Sequence, residues 1–285
     1  HATGVRIRSL PITPDKLLPH LRPRAHVGGL WRRPDRWWIE LVRRAYSIGL
    51  HRLLHRWGTR FARPPVCGAI TVLDFPTSVE SASIGVDNHS EFISGGTDVL
   101  VRRRQGLASS SRLIDLTAIR GLDRLEECGD GSLVIGAGTT LADLQRYCRA
   151  ADPMLVEVLD QIATPQIREM ATVAGNLLQA NRCSFYRNGF DCYKRSGPTC
   201  PCYAVLGDHR FYHAVLGGHR CQAVTPSDLA TAFLALDGVS TVQGRTGVRS
   251  IPLADLYRGP GESTLRVDEV MTSVEIPGPS RQRRS

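Results

Sequence analysis

The sequence predicts an α+β fold in which strands and helices interleave along the chain. Three observations lead there. Short apolar runs recur from Ile70 onward, each closed by Gly, Asp or Asn. Helical stretches open behind Thr140 and behind Pro226-Ser227-Asp228, residue types that cap helix N-termini. Two alternating runs, Val239 to Val242 and Val248 to Ile251, flank a Gly-rich turn as the arms of a hairpin do. With 285 residues and 42% hydrophobic content, the chain can bury a core in one large domain or two smaller ones. It contains no run of eighteen apolar residues, so no membrane-spanning helix is expected, and disorder over the whole length does not suit the composition.

Taken in order, residues 1 to 33 are rich in Pro, Arg and His and read as irregular, solvated chain. Pro34 opens a helix to about Trp57. Trp38, Val42, Ala45, Gly49 and Leu53 share one face of it, and Arg36, Glu40, Arg43, Ser47 and His51 another. Such a basic amphipathic helix packs on its own protein or a partner subunit; a membrane-surface role is the alternative reading. Arg63-Pro64-Pro65 reads as a linker. Phe92-Ile93-Ser94 runs into Gly95-Gly96-Thr97-Asp98. Ser111 to Leu116 and Leu133 to Gly138 read as strands, Leu141 to about Arg149 and Met154 to Ile162 as helices. Thr172-Val173 reads as strand-like, ending at Gly175-Asn176. Residues 183 to 221 show little apolar periodicity. Asp228 through Leu236 is a helix, and Met271 to Ile276 the last strand.

The net charge of +9 divides unevenly. Residues 1–66 hold 14 Lys/Arg against 3 Asp/Glu and all four Trp; the remainder holds 22 against 24. The basic pI therefore belongs to one end, and a nucleic-acid partner is not expected. The chain begins at His1, without the apolar h-region of a signal peptide, and closes on an Arg-rich tail after Pro279. It is expected to be a segment of a longer product.

Three groups of residues carry candidate chemistry. In Ser94-Gly95-Gly96-Thr97-Asp98, two glycines after an apolar strand let backbone N–H groups converge on an anion, and Thr97 adds a hydroxyl. Ala171-Thr172-Val173-Ala174-Gly175-Asn176 repeats that logic about eighty residues later, so the two loops together suit one diphosphate. The third group is Cys183, Cys192, Cys200, Cys202 and Cys221. Their spacing is unlike the close pairs of zinc ribbons. It leaves open an iron–sulfur cluster, a zinc site, and inert or disulfide-bonded cysteines. Cys67, Cys128 and Cys148 read as small core residues. His209, His213 and His219 read as polar loop residues rather than ligands. No Ser-His-Asp order or carboxylate pair stands out.

The loops and cysteines together resemble the FAD-binding subunit of the xanthine dehydrogenase and carbon monoxide dehydrogenase family of molybdenum hydroxylases. Ile93 to Asp98 is similar to that family's first flavin loop. Ile135-Gly136-Ala137-Gly138-Thr139-Thr140-Leu141-Ala142-Asp143-Leu144 is similar to its middle strand and helix start. Pro165-Gln166-Ile167-Arg168 with Ala171 to Asn176 is similar to its second flavin loop. Pro226-Ser227-Asp228-Leu229 and Glu269-Val270-Met271 to Glu275-Ile276-Pro277 follow in order. The cysteine segment resembles the iron–sulfur insert of the 4-hydroxybenzoyl-CoA reductase and periplasmic aldehyde oxidoreductase flavin subunits.

The resemblance implies a PCMH-type FAD-binding fold of two α/β subdomains with an iron–sulfur loop insert, the small C-terminal domain being absent after Pro277. It implies subdomains at 67–140 and 141–277, with the insert at 183–221, a basic extension at 1–66 and a tail at 278–285. It implies FAD held by Phe92, Ile93, Ser94, Gly95, Gly96, Thr97, Asp98 and Val99, faced by Thr172, Gly175 and Asn176, with Asp228 and Met271 as further contacts. It implies a [4Fe-4S] cluster on Cys183, Cys192, Cys200 and Cys221, with Cys202 a non-ligand. Ala174 departs from the family, which has Gly there; its methyl would crowd the diphosphate. The implied role is electron transfer between iron–sulfur centres, FAD and an external acceptor. The implied partners are a large molybdenum-cofactor subunit, which carries the substrate site, and a small [2Fe-2S] subunit. No residue of this chain is expected to be catalytic. The expected location is cytoplasmic, or periplasmic within an exported complex. The rival readings are a zinc-stapled interaction module and a cofactor-free assembly scaffold.

Overall fold

The computed structural model describes residues 70–278, except 109, 191, 198–199, 201, 206–212, 215–217 and 219, and the side chains of 151 and 196. The expected helix at 34–57, the 63–65 linker, Cys67, His209, His219 and the tail beyond 278 lie outside the described residues. Residues 181–224 form a compact unit apart from the main one, which runs up to Ala180 and resumes at Thr225.

The main unit opens with a three-stranded parallel sheet. Val72–Asp74 (β1), Ser90–Ile93 (β2) and Arg112–Asp115 (β3) pair in the order β1-β3-β2. Parallel neighbours need a crossover. Val79–Ser83 (α1) and Val99–Arg104 (α2) provide the helical part of each connection. Ser78 starts α1 with a capping box, its hydroxyl accepting from the Ser81 N–H (3.2 Å). Val79, Ala82, Ile114, Ile119 and Leu122 bury a small core with Val270.

The chain then enters a five-stranded antiparallel sheet through Leu125–Glu127 (β4) and Leu133–Gly136 (β5). Four helices follow: Leu141–Ala151 (α3), Pro153–Gln161 (α4), Pro165–Arg168 (α5) and Val173–Leu177 (α6). Thr140 caps α3 as its sequence context predicts, accepting from the Asp143 N–H (3.0 Å). Two short helices, Ser184–Arg187 (α7) and Tyr193–Ser196 (α8), belong to the separate cysteine-bearing unit. Asp228–Ala235 (α9) returns the chain to the main unit, and Ser227 caps it. Val239–Gly244 (β6) and Gly247–Pro252 (β7) form the predicted hairpin. Tyr257–Gly259 (β8) and Glu262–Ser263 (β9) pair on their own, and Val270–Ile276 (β10) completes the large sheet in the order β4-β5-β10-β6-β7.

Leu133 and Ile135 of β5, Val274 and Ile276 of β10, and Leu229 and Phe233 of α9 are all fully buried in the larger core, with Leu144 of α3 and Leu155 and Leu159 of α4. A bulge interrupts β10 between Met271 and Ser273. Val270 packs in the smaller core and Met271 in the larger, so β10 runs along the seam between them.

The large sheet begins at β4: β4 pairs with β5, and β5 with β10 some 140 residues away, a partner that local periodicity does not reveal. One expectation is corrected. Thr172-Val173 is not a strand. Thr172 makes a single bridge to Thr140, and its hydroxyl accepts from the Gly175 N–H (3.2 Å), which turns 173–177 into a helix. Among the described residues no helix is long and apolar enough to cross a membrane.

Phe233 of α9 is 0% exposed in the larger core. Phe233→Ala leaves a cavity and should cost about 3–5 kcal/mol; equilibrium denaturant unfolding measures it.

Candidate functional site

The first loop leaves the C-terminal end of β2, the edge at which ligands meet parallel sheets. Two glycines shape it. A Cβ on Gly95 would lie 1.6 Å from the Met170 carbonyl oxygen, so only glycine lets the loop seat on the segment entering α6. Gly96 follows at φ +70°, a conformation disfavoured for any other residue. The two loops that are distant in sequence thereby share one wall.

They frame an open cleft of about 190 Å³ in the main unit. Of the predicted residues, Phe92, Ile93, Ser94, Gly95, Gly96, Thr97, Asp98 and Val99 line it, as do Thr172, Gly175 and Met271. Asn176 and Asp228 are not among its lining residues. The Asn176 Oδ1 accepts from the Ser227 hydroxyl (2.7 Å), and that hydroxyl caps α9, so Asn176 braces α6 against α9. Asp228 stands in the first turn of the same helix. Ala174 lines the cleft and packs its methyl on the larger core. In a helix, alanine is also favoured over glycine by about 1 kcal/mol.

Sequence reasoning missed several lining residues, among them Arg102, Leu116, Leu122, Gln179, Leu265 and Glu269. No local signal marks them, because they come from four separated segments. Glu269 is 5% exposed. Arg249 holds it through Nε to Oε1 and Nη2 to Oε2, both 2.8 Å, and the Arg266 N–H donates to Oε2 (2.7 Å). The Arg249 guanidinium keeps the Glu269 carboxyl below the usual carboxylate range. The cleft combines glycine backbone, hydroxyls and an apolar floor of Phe92, Leu116, Leu122 and Met271. This composition suits a molecule with a diphosphate and a flat ring, so the residues present fit FAD.

In the separate unit, Cys183 and Cys192 are buried, 7% and 6% exposed, while Cys202 and Cys221 are half-buried. These four line one small pocket with Phe185, Tyr186 and Tyr203. Phe185 stacks on Tyr203 (5.9 Å between centroids) and meets Phe190 edge-on (5.4 Å). Of the expected ligands, Cys183, Cys192 and Cys221 line this pocket; Cys202, expected to be a non-ligand, lines it as well, and Cys200 is not among its lining residues. The helical turn Tyr203–Val205 starts directly after Cys202, and the Val205 N–H donates to the Cys202 carbonyl (3.2 Å). His213, read as a polar loop residue, is 8% exposed, with Nε2 3.1 Å from the Cys183 sulfur. Burial pushes the Cys183 thiol up, opposed by the Tyr186 and Phe185 backbone N–H groups. Burial likewise raises Cys192. Cys221 is pushed up to about 11 by burial, with like charge from Cys202, Cys183 and Cys192 adding to it. Among the described residues, no three or more His, Cys, Asp or Glu side chains form a site for a single metal ion. Cys148 is fully buried in the larger core, as predicted, and Cys128 is half-buried.

Gly95→Ala drives a methyl into the Met170 carbonyl and should separate the two loops. The expected result is loss of flavin from the purified protein with a smaller change in thermal midpoint, read by absorbance and melting. Glu269 titrates lower in the folded state than in the unfolded one. Its contribution is therefore full above the ordinary carboxylate range and is lost as pH falls through the folded value. Glu269→Gln should flatten that acid limb in denaturant midpoints measured against pH.

The chain is 39% identical over 202 residues to the aldehyde oxidoreductase FAD-binding subunit PaoB of Escherichia coli K12, covering 67% of this chain and 62% of that protein. It is 29% identical over 206 residues to the nicotine 6-hydroxylase medium subunit of Paenarthrobacter nicotinovorans, covering 71% and 57%. The chain thus spans about three fifths of the length of these curated relatives. The carbon monoxide dehydrogenase of Hydrogenophaga pseudoflava that lacks the Mo-pyranopterin moiety shares the fold, with a TM-score of 0.55 at 21% identity over 76% of this chain and 61% of that one. Residues 73–279 match the family described as the FAD binding domain in molybdopterin dehydrogenase, and the chain belongs to that family.

Proposed function

We propose that this chain is the FAD-carrying electron-transfer subunit of a molybdenum-dependent oxidoreductase. Its partners are a large subunit with the molybdenum cofactor and the substrate site, and a small [2Fe-2S] subunit. The observation that carries this reading is the seating of the Gly95 loop on the Met170 carbonyl, which joins two glycine-bearing loops at one cleft. When bound, FAD supplies the exchange between one- and two-electron chemistry. The chain's own residues do the rest. The 94–97 backbone and the Thr97 and Thr172 hydroxyls suit the diphosphate. Phe92, Leu116 and Met271 present apolar surface to the ring and exclude water.

The 181–224 unit holds a [4Fe-4S] cluster through Cys183, Cys192, Cys202 and Cys221. The donor set supports this: four thiols around one pocket are the ligand count of a cubane, whose thiolates stand further apart than those on a single ion. Burial raises both the Cys183 and Cys192 thiols, and backbone N–H groups of Phe185 and Tyr186 at the first and of Lys194 and Arg195 at the second partly offset it. Burial and mutual repulsion oppose four thiolates unless cationic iron lies between them.

Anaerobic purification, a visible spectrum and a count of iron and zinc test both parts. A flavin spectrum over a broad iron–sulfur background, with about four irons per chain, is expected. Cys202→Ser should remove the iron, and Cys200→Ser should leave it. Zinc without flavin overturns the electron-transfer role; flavin without iron overturns the cluster. Iron that survives Cys202→Ser and is lost with Cys200→Ser restores the original ligand set.

A further inference from the structure

Asp98 stands at the N-cap position of α2, yet its side chain makes no capping bond to that helix. Its Oδ2 instead accepts from Arg102 Nε (3.0 Å) and from the Ala180 backbone N–H (3.0 Å). Arg102 also pairs with Glu91 of β2. The Glu91 Oε2 accepts from the Ser110 hydroxyl (2.8 Å), and Arg103 lies 3.9 Å from the same carboxylate. Arg103 in turn donates to the Ser110 carbonyl and hydroxyl, each at 2.8 Å. Two carboxylates and two guanidiniums therefore share one network at the first loop. All four are largely buried, with side chains 7% to 18% exposed.

We infer that Asp98 is a positioning residue for the FAD loop, acting through the Ala180 N–H, and is not itself a ligand of FAD. A bare carboxylate in an anion-binding loop would repel a diphosphate, the more strongly in a partly desolvated cleft. Here the charge is neutralised by Arg102 and committed to a backbone amide 82 positions away. That amide closes the stretch that follows α6, so one carboxylate ties the first loop to the segment carrying the second. The Gly95 seat brings the loops together sterically; Asp98 holds them in register at their other end.

The inference rests on the cleft being the FAD site, and the test separates the two. The full chain is stripped of flavin and compared as native protein, Asp98→Ala and Asp98→Asn. Asn keeps an amide oxygen for the Ala180 N–H; Ala does not. FAD affinity is read by flavin fluorescence quenching, and Ala180 amide exchange is read on the flavin-free protein. Asp98→Ala should weaken FAD binding about tenfold or more, the effect of losing a buried bond to a charged group. It should also speed Ala180 exchange without FAD present. Asp98→Asn should recover most of both. Weakened binding with unchanged Ala180 exchange would make Asp98 a direct ligand and overturn the inference, as would unchanged binding in Asp98→Ala. If the native chain binds no FAD, the reading of the cleft fails, while slow exchange in Asp98→Ala would still dismiss the latch.

Discussion

The cleft depends on one steric contact, the approach of the Gly95 Cα to the Met170 carbonyl. No side chain of any size fits between them. The parallel sheet ends at this point and the helical layer over the large sheet begins, so the contact joins the two halves of the main unit. Two glycine-bearing loops, each unremarkable alone, become one concave wall because their backbones touch. The apolar floor follows from the same closure, since Phe92 and Leu122 come from one side of the seam and Ala137 and Met271 from the other.

Charge is distributed so that this wall can receive an anion. Asp98 and Glu269, the two acids lining the cleft, are each held by arginine and by a backbone N–H. Acids paired in this way add little negative potential at the cleft and instead brace the backbone around it. Arg249 and Arg266 both pair with the Glu269 carboxylate at the start of β10, where that strand passes between the two cores. Electrostatics and packing thus serve the same seam.

The cysteine-bearing unit is organised by aromatic packing rather than by regular structure. Its helices are four residues long. Phe185, Phe190 and Tyr203 form a three-ring cluster beside Cys183 and Cys192, and His213 closes on the Cys183 sulfur. Elements this short have little independent stability in water. Rings, and thiols bound to a common centre, are what such a segment has to fold around.

The sequence by itself determined the α+β class, the capped starts of α3 and α9, the β6–β7 hairpin and both glycine-bearing loops. Each is a local signal: a cap three residues from its amide, a two-residue alternation, a pair of glycines. The tertiary structure alone decided which sheet β4 and β5 join, because β5 pairs with β10 at the far end of the chain. It made 173–177 a helix through a threonine cap that strand-like composition conceals. It turned Asp98 and Asn176 toward protein partners 82 and 51 positions away. It set Cys202, and not Cys200, among the residues that line the small cysteine pocket. Local propensity acts over a few residues, whereas a site assembled from distant segments is settled by packing, which no short window of sequence contains.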